Sequence, residues 1–175
     1  MGAVALIWEH VMGGMKSLVF AMAVLLSATS AMAGTVRAGF NDAQITWVDI
    51  ESGLKTAAAA CKPVFVLFHT DWCPHCKRYR KAFEQASIVE LSKDFVFVIV
   101  DRDYEEETNN RYAPEGGYVP RSVVVNAKGA LQTQITGPRN DYKYFLDPDN
   151  YRELEAFLIK AQSEFDRSAC DFRGT

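Results

Sequence analysis

Two cysteines three positions apart, in the segment Trp72-Cys73-Pro74-His75-Cys76-Lys77, are the residues of this chain best equipped for chemistry. A thiolate attacks a disulfide sulfur to give a mixed disulfide, and a second thiol one helical turn away can attack that intermediate and release the substrate. In this scheme Cys73 is the nucleophile and Cys76 the resolving thiol. If a helix begins at the motif, its unpaired N–H groups and partial positive charge stabilise a Cys73 thiolate. Pro74 suits the first helical turn, where its missing N–H costs nothing. His75 can add positive charge or a hydrogen bond beside the thiolate. A stabilised thiolate also makes the disulfide form a stronger oxidant.

The same spacing serves other chemistries. Half of a zinc site is one, with His69 and His75 nominally completing it, but structural zinc usually draws a second ligand pair with its own close spacing, which Cys61 and Cys170 lack. Covalent haem attachment needs a histidine after the second cysteine, and Lys77 stands there. A merely structural Cys73–Cys76 bond would close too small a ring to restrict the unfolded chain much. Disulfide exchange needs no cofactor. The rival from another class is a metal-binding, copper-handling module using Cys73, Cys76 and a histidine.

The flanking elements must place the motif at a strand end and a helix start. Residues 64–68 (Val-Phe-Val-Leu-Phe) form a continuous apolar run, as in a strand covered on both faces of a parallel sheet. After the motif, Cys76, Tyr79, Phe83 and Ala86 keep helical spacing, with Lys77, Arg78, Lys81 and Glu84 on the other faces, which predicts one helix. A second buried strand is expected at 95–100, so strand, helix and strand suggest a right-handed parallel crossover. Upstream, Trp47, Ile50, Leu54, Ala57 and Ala58 predict an amphipathic helix over 47–60, ended by Pro63. Downstream, residues 101–117 read as a polar connection in which Glu105, Glu106 and Glu107 form a solvated loop. Residues 122–125 and 131–135 read as a hairpin with the last strand at an edge. A final helix is expected to start at Asp147-Pro148, with Tyr151, Leu154, Phe157, Leu158 and Ala161 on one face.

The 175 residues suffice for one compact domain with a real core. A formal net charge of −3 without a basic cluster excludes a polyanion-binding role, so no nucleic acid is expected as partner. Lys16, the apolar run 18–26 and Ala31-Met32-Ala33 resemble a secretory signal with an A-x-A cleavage site, giving residues 1–33 as signal peptide and Gly34 as the mature start. Met15 is a candidate true initiator. The apolar run is short for a span of about 20 residues, so cleavage is favoured over an anchor. Export puts the thiols in an oxidising compartment, periplasmic or extracellular. Four cysteines allow three pairings, which stay open here, and Cys61 with Cys170 is a candidate structural disulfide tying the tail to the domain.

The segment WCPHCK after an apolar strand, followed by Val119-Pro120-Arg121-Ser122 before another, resembles the thioredoxin superfamily. More narrowly, Gly116-Gly117-Tyr118-Val119-Pro120-Arg121, the turn Asn126-Ala127-Lys128-Gly129 and Tyr142-Lys143-Tyr144-Phe145 resemble the endoplasmic-reticulum thioredoxin-domain proteins of the anterior gradient group. The likeness spans about residues 47–162, and the leader makes this an exported bacterial relative by analogy. It implies an α/β thioredoxin fold over 34–175, with a central mixed sheet flanked by helices. It also implies a cis peptide at Pro120, facing the cysteines and shaping a groove where a substrate strand pairs with Val119. Without the resemblance an ordinary trans proline would be the default. Pairing of that kind binds extended chains with little side-chain selectivity. Trp72 is expected to pack beside the pair as a partly exposed apolar wall and a substrate contact. His69 is expected to be structural.

Six residues before Cys73, where cytoplasmic thioredoxins carry a buried acid, this chain has Leu67, leaving Asp71, Lys77 or water to serve Cys76. The Pro-His dipeptide resembles that of periplasmic disulfide donors, without room for their inserted helical domain. The expected partners are protein thiols or disulfides and an unidentified redox partner, a membrane protein among the candidates. Direction of electron flow stays open, and a specialised reductant of apocytochrome or metallochaperone thiols is one alternative.

Overall fold

The structure is a computed structural model that describes residues 38–165 and Cys170. The expected signal peptide, the alternative start at Met15 and the mature start at Gly34 lie outside the described residues. In chain order the elements are β1 (Trp47–Val48), α1 (Ile50–Ala60), β2 (Val64–His69), α2 (Pro74–Tyr79), a 3₁₀ helix (Arg80–Glu84), α3 (Ala86–Ser92), β3 (Val96–Asp101), α4 (Glu106–Arg111), β4 (Arg121–Val125) and α5 (Tyr151–Glu164). The sheet order is β1-β3-β2-β4. β1, β3 and β2 run parallel and β4 is antiparallel to β2, so the sheet is mixed.

β2 and β3 are central because both of their faces are covered. Phe65, Leu67, Phe97 and Ile99 meet Tyr79, Phe83, Ile88, Leu154, Phe157 and Leu158 on one side. Val64, Val66, Phe68, Val96, Val98 and Val100 meet Ala57 of α1 together with Tyr112 and Tyr144 on the other. This two-sided burial is why both runs read as continuous apolar stretches. Phe83 anchors the first layer, touching the rings of Phe40, Trp47, Phe65, Tyr79 and Phe97. In the second layer α1 approaches the sheet through Gly53, where an added Cβ would run into Val98 Cγ2. Gly53→Ala is therefore expected to lower stability by about 1–3 kcal/mol through overpacking, despite alanine's better helix propensity. Urea unfolding is the check, and an unchanged midpoint would contradict the packing.

Several sequence expectations are corrected. Trp47 lies in β1, paired with Phe97, rather than on α1. Asp49 starts the helix instead, its carboxylate accepting the Ser52 N–H at 2.8 Å. The helix ends at Cys61, whose left-handed backbone (φ 51°) stops it two residues before Pro63. The single helix expected after the motif is three pieces: α2, the 3₁₀ segment and α3, separated at Gln85, which is extended (φ −73°, ψ 132°). Ala86 consequently faces solvent and Ile88 takes the buried place. No glycine or proline marks the break at Gln85, and upstream of it Tyr79 and Phe83 stay buried across the change from α2 to the 3₁₀ helix because 3₁₀ and α spacing are close over one turn.

The polar connection 101–117 contains α4, with Glu106 and Glu107 in its first turn, where acidic side chains suit the helix dipole. Residues 131–135 form no strand, only the bridge Val125↔Leu131 followed by a turn in which the Ile135 N–H reaches Gln132 O. α5 is capped by Asn150 rather than Asp147-Pro148, because the Asp147 carboxylate accepts the Asp149 N–H in a local turn. Cys61 and Cys170 are joined in a disulfide spanning 109 residues of sequence.

Candidate active site

The end of β2 hands the chain to a short turn, Thr70 to Trp72, in which the Cys73 N–H bonds to Thr70 O at 3.3 Å. Cys73 then occupies the cap position of α2 in extended backbone, with Pro74 at the first helical position. Its Sγ accepts the Cys76 N–H at 3.2 Å. The cap that serine or aspartate supplies elsewhere is here a sulfur, and an amide aimed at that sulfur is the contact a thiolate needs. Both thiols are free and nearly inaccessible, Cys73 at 3% and Cys76 at 1% exposure.

Opposite the pair lies the Val119–Pro120 peptide, which is cis. The Cys73 thiol contacts Val119 O at 3.7 Å. Cys73, Cys76, Val119 and Pro120 are thus brought to one place. The remaining candidates form its rim. Trp72 is 59% exposed, and its indole N–H donates to Asp103 Oδ2 at 2.6 Å, holding the Asp103 carboxyl below the usual carboxylate range. His75 packs edge-on against Phe145, and its Nδ1 meets Arg78 Nη2 at 2.8 Å. Arg78 can only donate, so Nδ1 is the acceptor in this contact. Arg78 is itself bonded to Asp149. The positive charge expected beside the motif therefore comes with a guanidinium already paired to a carboxylate.

Beneath the motif the structure is apolar. Leu67 is fully buried at the position of the missing acid. Asp71 faces Arg80 at 4.0 Å with most of its side chain in solvent, and Lys77 is exposed. His69 is buried against the Phe40 ring, and burial pushes its imidazole below the ordinary value. Among the described residues its Nδ1 and the Thr70 hydroxyl have no hydrogen-bond partner. Burial raises the Cys76 thiol far above its ordinary range, with the hydrogen bond to Cys73 adding to the shift and a backbone bond from Thr70 opposing it. Cys76 is therefore protonated at rest, and a mixed disulfide at Cys73 must form before it is called on. Among the described residues no group of three or more His, Cys, Asp or Glu side chains is placed to hold a metal ion.

The raised Cys76 fixes a pH dependence. In the reduced protein the folded chain keeps this proton to higher pH than the unfolded chain does, so the stability is fully present below the ordinary thiol range near 9 and is lost as pH rises toward the folded value. Tyr79, fully buried with its hydroxyl against Ser122 Oγ at 3.2 Å, is shifted upward by burial too, and it acts in both redox states. Urea midpoints between pH 8 and 10.5 are expected to fall more steeply for reduced than for oxidised protein. Parallel curves would contradict the buried, protonated Cys76.

Sequence reasoning missed the partners that hold this rim: Asp103 on Trp72, Arg78 on His75, and Arg102 and Arg121 on the segment before Pro120. The comparisons with known proteins agree with the geometry. The thioredoxin-like family matches residues 46–127. The anterior gradient protein 2 homolog of Mus musculus is 30% identical over 129 residues, covering 73% of this chain and 71% of that protein. Anterior gradient protein 3 of Xenopus tropicalis is 27% identical, covering 73% and 77%. Among solved structures, a thioredoxin from Thermus thermophilus superposes with a TM-score of 0.54 at 19% identity, covering 72% of this chain and 93% of that one. A disulphide isomerase from Xylella fastidiosa Temecula1 does so at 0.50 and 23%, covering 63% and 86%. These two show the shared fold. On fold and relatives together, the chain belongs to the thioredoxin superfamily, as a thioredoxin-like protein of the anterior gradient kind.

Proposed function

We propose that this thiol–disulfide oxidoreductase of the thioredoxin type is exported and works on protein substrates through Cys73 and Cys76. The observation that carries the reading is the pair itself: two free thiols at a helix start, the first against the carbonyl of a cis Val119–Pro120 peptide. The Cys73 thiolate attacks one sulfur of a substrate disulfide, which breaks the S–S bond, forms the mixed disulfide and releases the first substrate thiolate. Cys76 then attacks Cys73 Sγ, forming the Cys73–Cys76 disulfide and releasing the second substrate thiolate, which takes up the Cys76 proton directly or through water. Two electrons pass from the protein to the substrate. Run backwards, the same steps donate a disulfide to a dithiol. Val119, Pro120 and Trp72 supply the substrate contacts, and a separate redox partner resets the pair.

Export is tested by fractionating cells and sequencing the mature N-terminus: Gly34 in the periplasm or medium is expected, and an intact leader in the cytoplasm would contradict the reading. Direction is read from the midpoint potential in glutathione buffers. A value near about −120 mV marks a disulfide donor and one near about −270 mV a reductant recharged by its partner. Stoichiometric metal on the purified protein, lost in Cys73→Ser, would favour the metal-binding alternative instead.

A further inference from the structure

Arg121 follows the cis proline and is fully buried, yet no carboxylate is among its partners within the described residues. Its donors all go to neutral oxygens of one connection. Nε reaches Tyr112 O at 3.2 Å. Nη1 reaches Gly116 O at 3.2 Å and Tyr118 O at 2.9 Å. Nη2 reaches Asn109 O at 3.3 Å and Asn109 Oδ1 at 2.8 Å. Its guanidinium plane lies over the Phe68 ring at 4.1 Å, one strand away in register. Burial lowers its basicity to about 10, so it stays charged at neutral pH. Two of the acceptors are carbonyls at the end of α4, where a helix leaves such groups unpaired and favours a cation. A third, Asn109 Oδ1, is a side-chain oxygen of the same helix, and the remaining two, Gly116 O and Tyr118 O, belong to the segment that leads into Val119.

The intervening carbonyl, Gly117 O, is taken by Arg102 Nη1 at 3.0 Å. Arg102 also stacks over Trp72 at 5.4 Å and pairs with Asp103, the acceptor of the Trp72 indole. Four successive carbonyls, 116 to 119, therefore have assigned donors: Arg121, Arg102, Arg121 and the Cys73 thiol. Gly116 makes the alternation attainable with its positive φ of 97°. The Val119 N–H, by contrast, has no partner among the described residues and sits at a half-exposed position.

We infer that Arg121 and Arg102 are positioning residues for substrate: together they consume the carbonyls of residues 116–118 and so present the Val119 backbone edge, at fixed distance from Cys73 and Trp72, to an extended polypeptide. The inference rests on the exchange reading above. A lysine at 121 has one ammonium for acceptors lying in several directions and cannot replace the fork.

The test compares the purified reduced protein with its R121K and R102Q variants on two disulfides. One is a peptide with a single internal disulfide, which can pair with a backbone edge. The other is Ellman's reagent, which cannot. Each variant is expected to lower the ratio of peptide to reagent kcat/KM about tenfold, with the loss in the peptide KM, as fits one or two weakened backbone hydrogen bonds. Arg102 lies on the rim, so R102Q keeps the test decisive should R121K not fold. A ratio unchanged in R102Q and in any folded R121K overturns the inference while leaving the exchange reading intact. Wild-type protein that reduces neither disulfide overturns the exchange reading, and this inference with it.

Discussion

Cys73→Ser is expected to abolish exchange, lowering peptide-disulfide turnover at least about a thousandfold, because the variant retains no thiol that can make the first attack. Cys76 cannot substitute: it is buried beneath Cys73 and protonated at rest. Cys76→Ser should behave differently. Cys73 keeps its cap geometry, since the group donating to its sulfur is the backbone N–H of residue 76, which serine retains. The first attack then proceeds and stops at the mixed disulfide, so substrates accumulate as covalent adducts on Cys73. Non-reducing gels of Cys76→Ser incubated with a disulfide peptide make the distinction. Equal activity in both variants, or adducts on the wrong cysteine, would contradict the division of labour.

The second large effect is on stability. The Cys61–Cys170 bond closes a loop across 109 residues, from the end of α1 to the segment beyond α5. Constraint of the unfolded chain over that length is worth about 5 kcal/mol on the chain-entropy account. Replacing both cysteines by serine should therefore lower Tm by roughly 10 °C or more. Exchange at Cys73 should persist below the new Tm, because Cys61 lies just before the start of β2 while the candidate site follows its other end. Calorimetry and the turnover assay on the double variant check both halves. An unchanged Tm would mean the bond does not form or constrains nothing.

What could be read before the structure follows a physical division. β2, β3 and β4 were legible because burial on both faces forces continuous apolar runs, and the cysteine pair because its spacing is chemical. The cis geometry of Pro120 came only through family resemblance, since nothing in the bare sequence distinguishes it from the far commoner trans form. Trp47 misled because an edge-strand residue three positions before Ile50 falls on a helical spacing by chance. The break before α3 left no trace, because Gln85 changes only its backbone angles. Tertiary partners were the least legible. Arg121 stood in plain view beside Pro120, but its acceptors are four backbone carbonyls of residues 109–118 and the Asn109 side-chain oxygen, whose directions depend on the fold. The same holds for Asn150 over Asp147 as the cap of α5: both are good capping residues, and the choice is made by the turn that Asp147 forms with Asp149.

The central claim is that Cys73 and Cys76 act as one redox unit, separate from the Cys61–Cys170 bond. Its most direct test is to equilibrate the protein across a series of glutathione buffers, trap the thiols with an alkylating agent and map each cysteine by mass spectrometry. Cys73 and Cys76 should switch together with a single two-electron midpoint, while Cys61 and Cys170 stay bonded throughout, as expected of a structural disulfide with a potential below about −300 mV. Failure of Cys73 and Cys76 to switch as a pair would contradict the account and return the motif to a metal-binding or structural role.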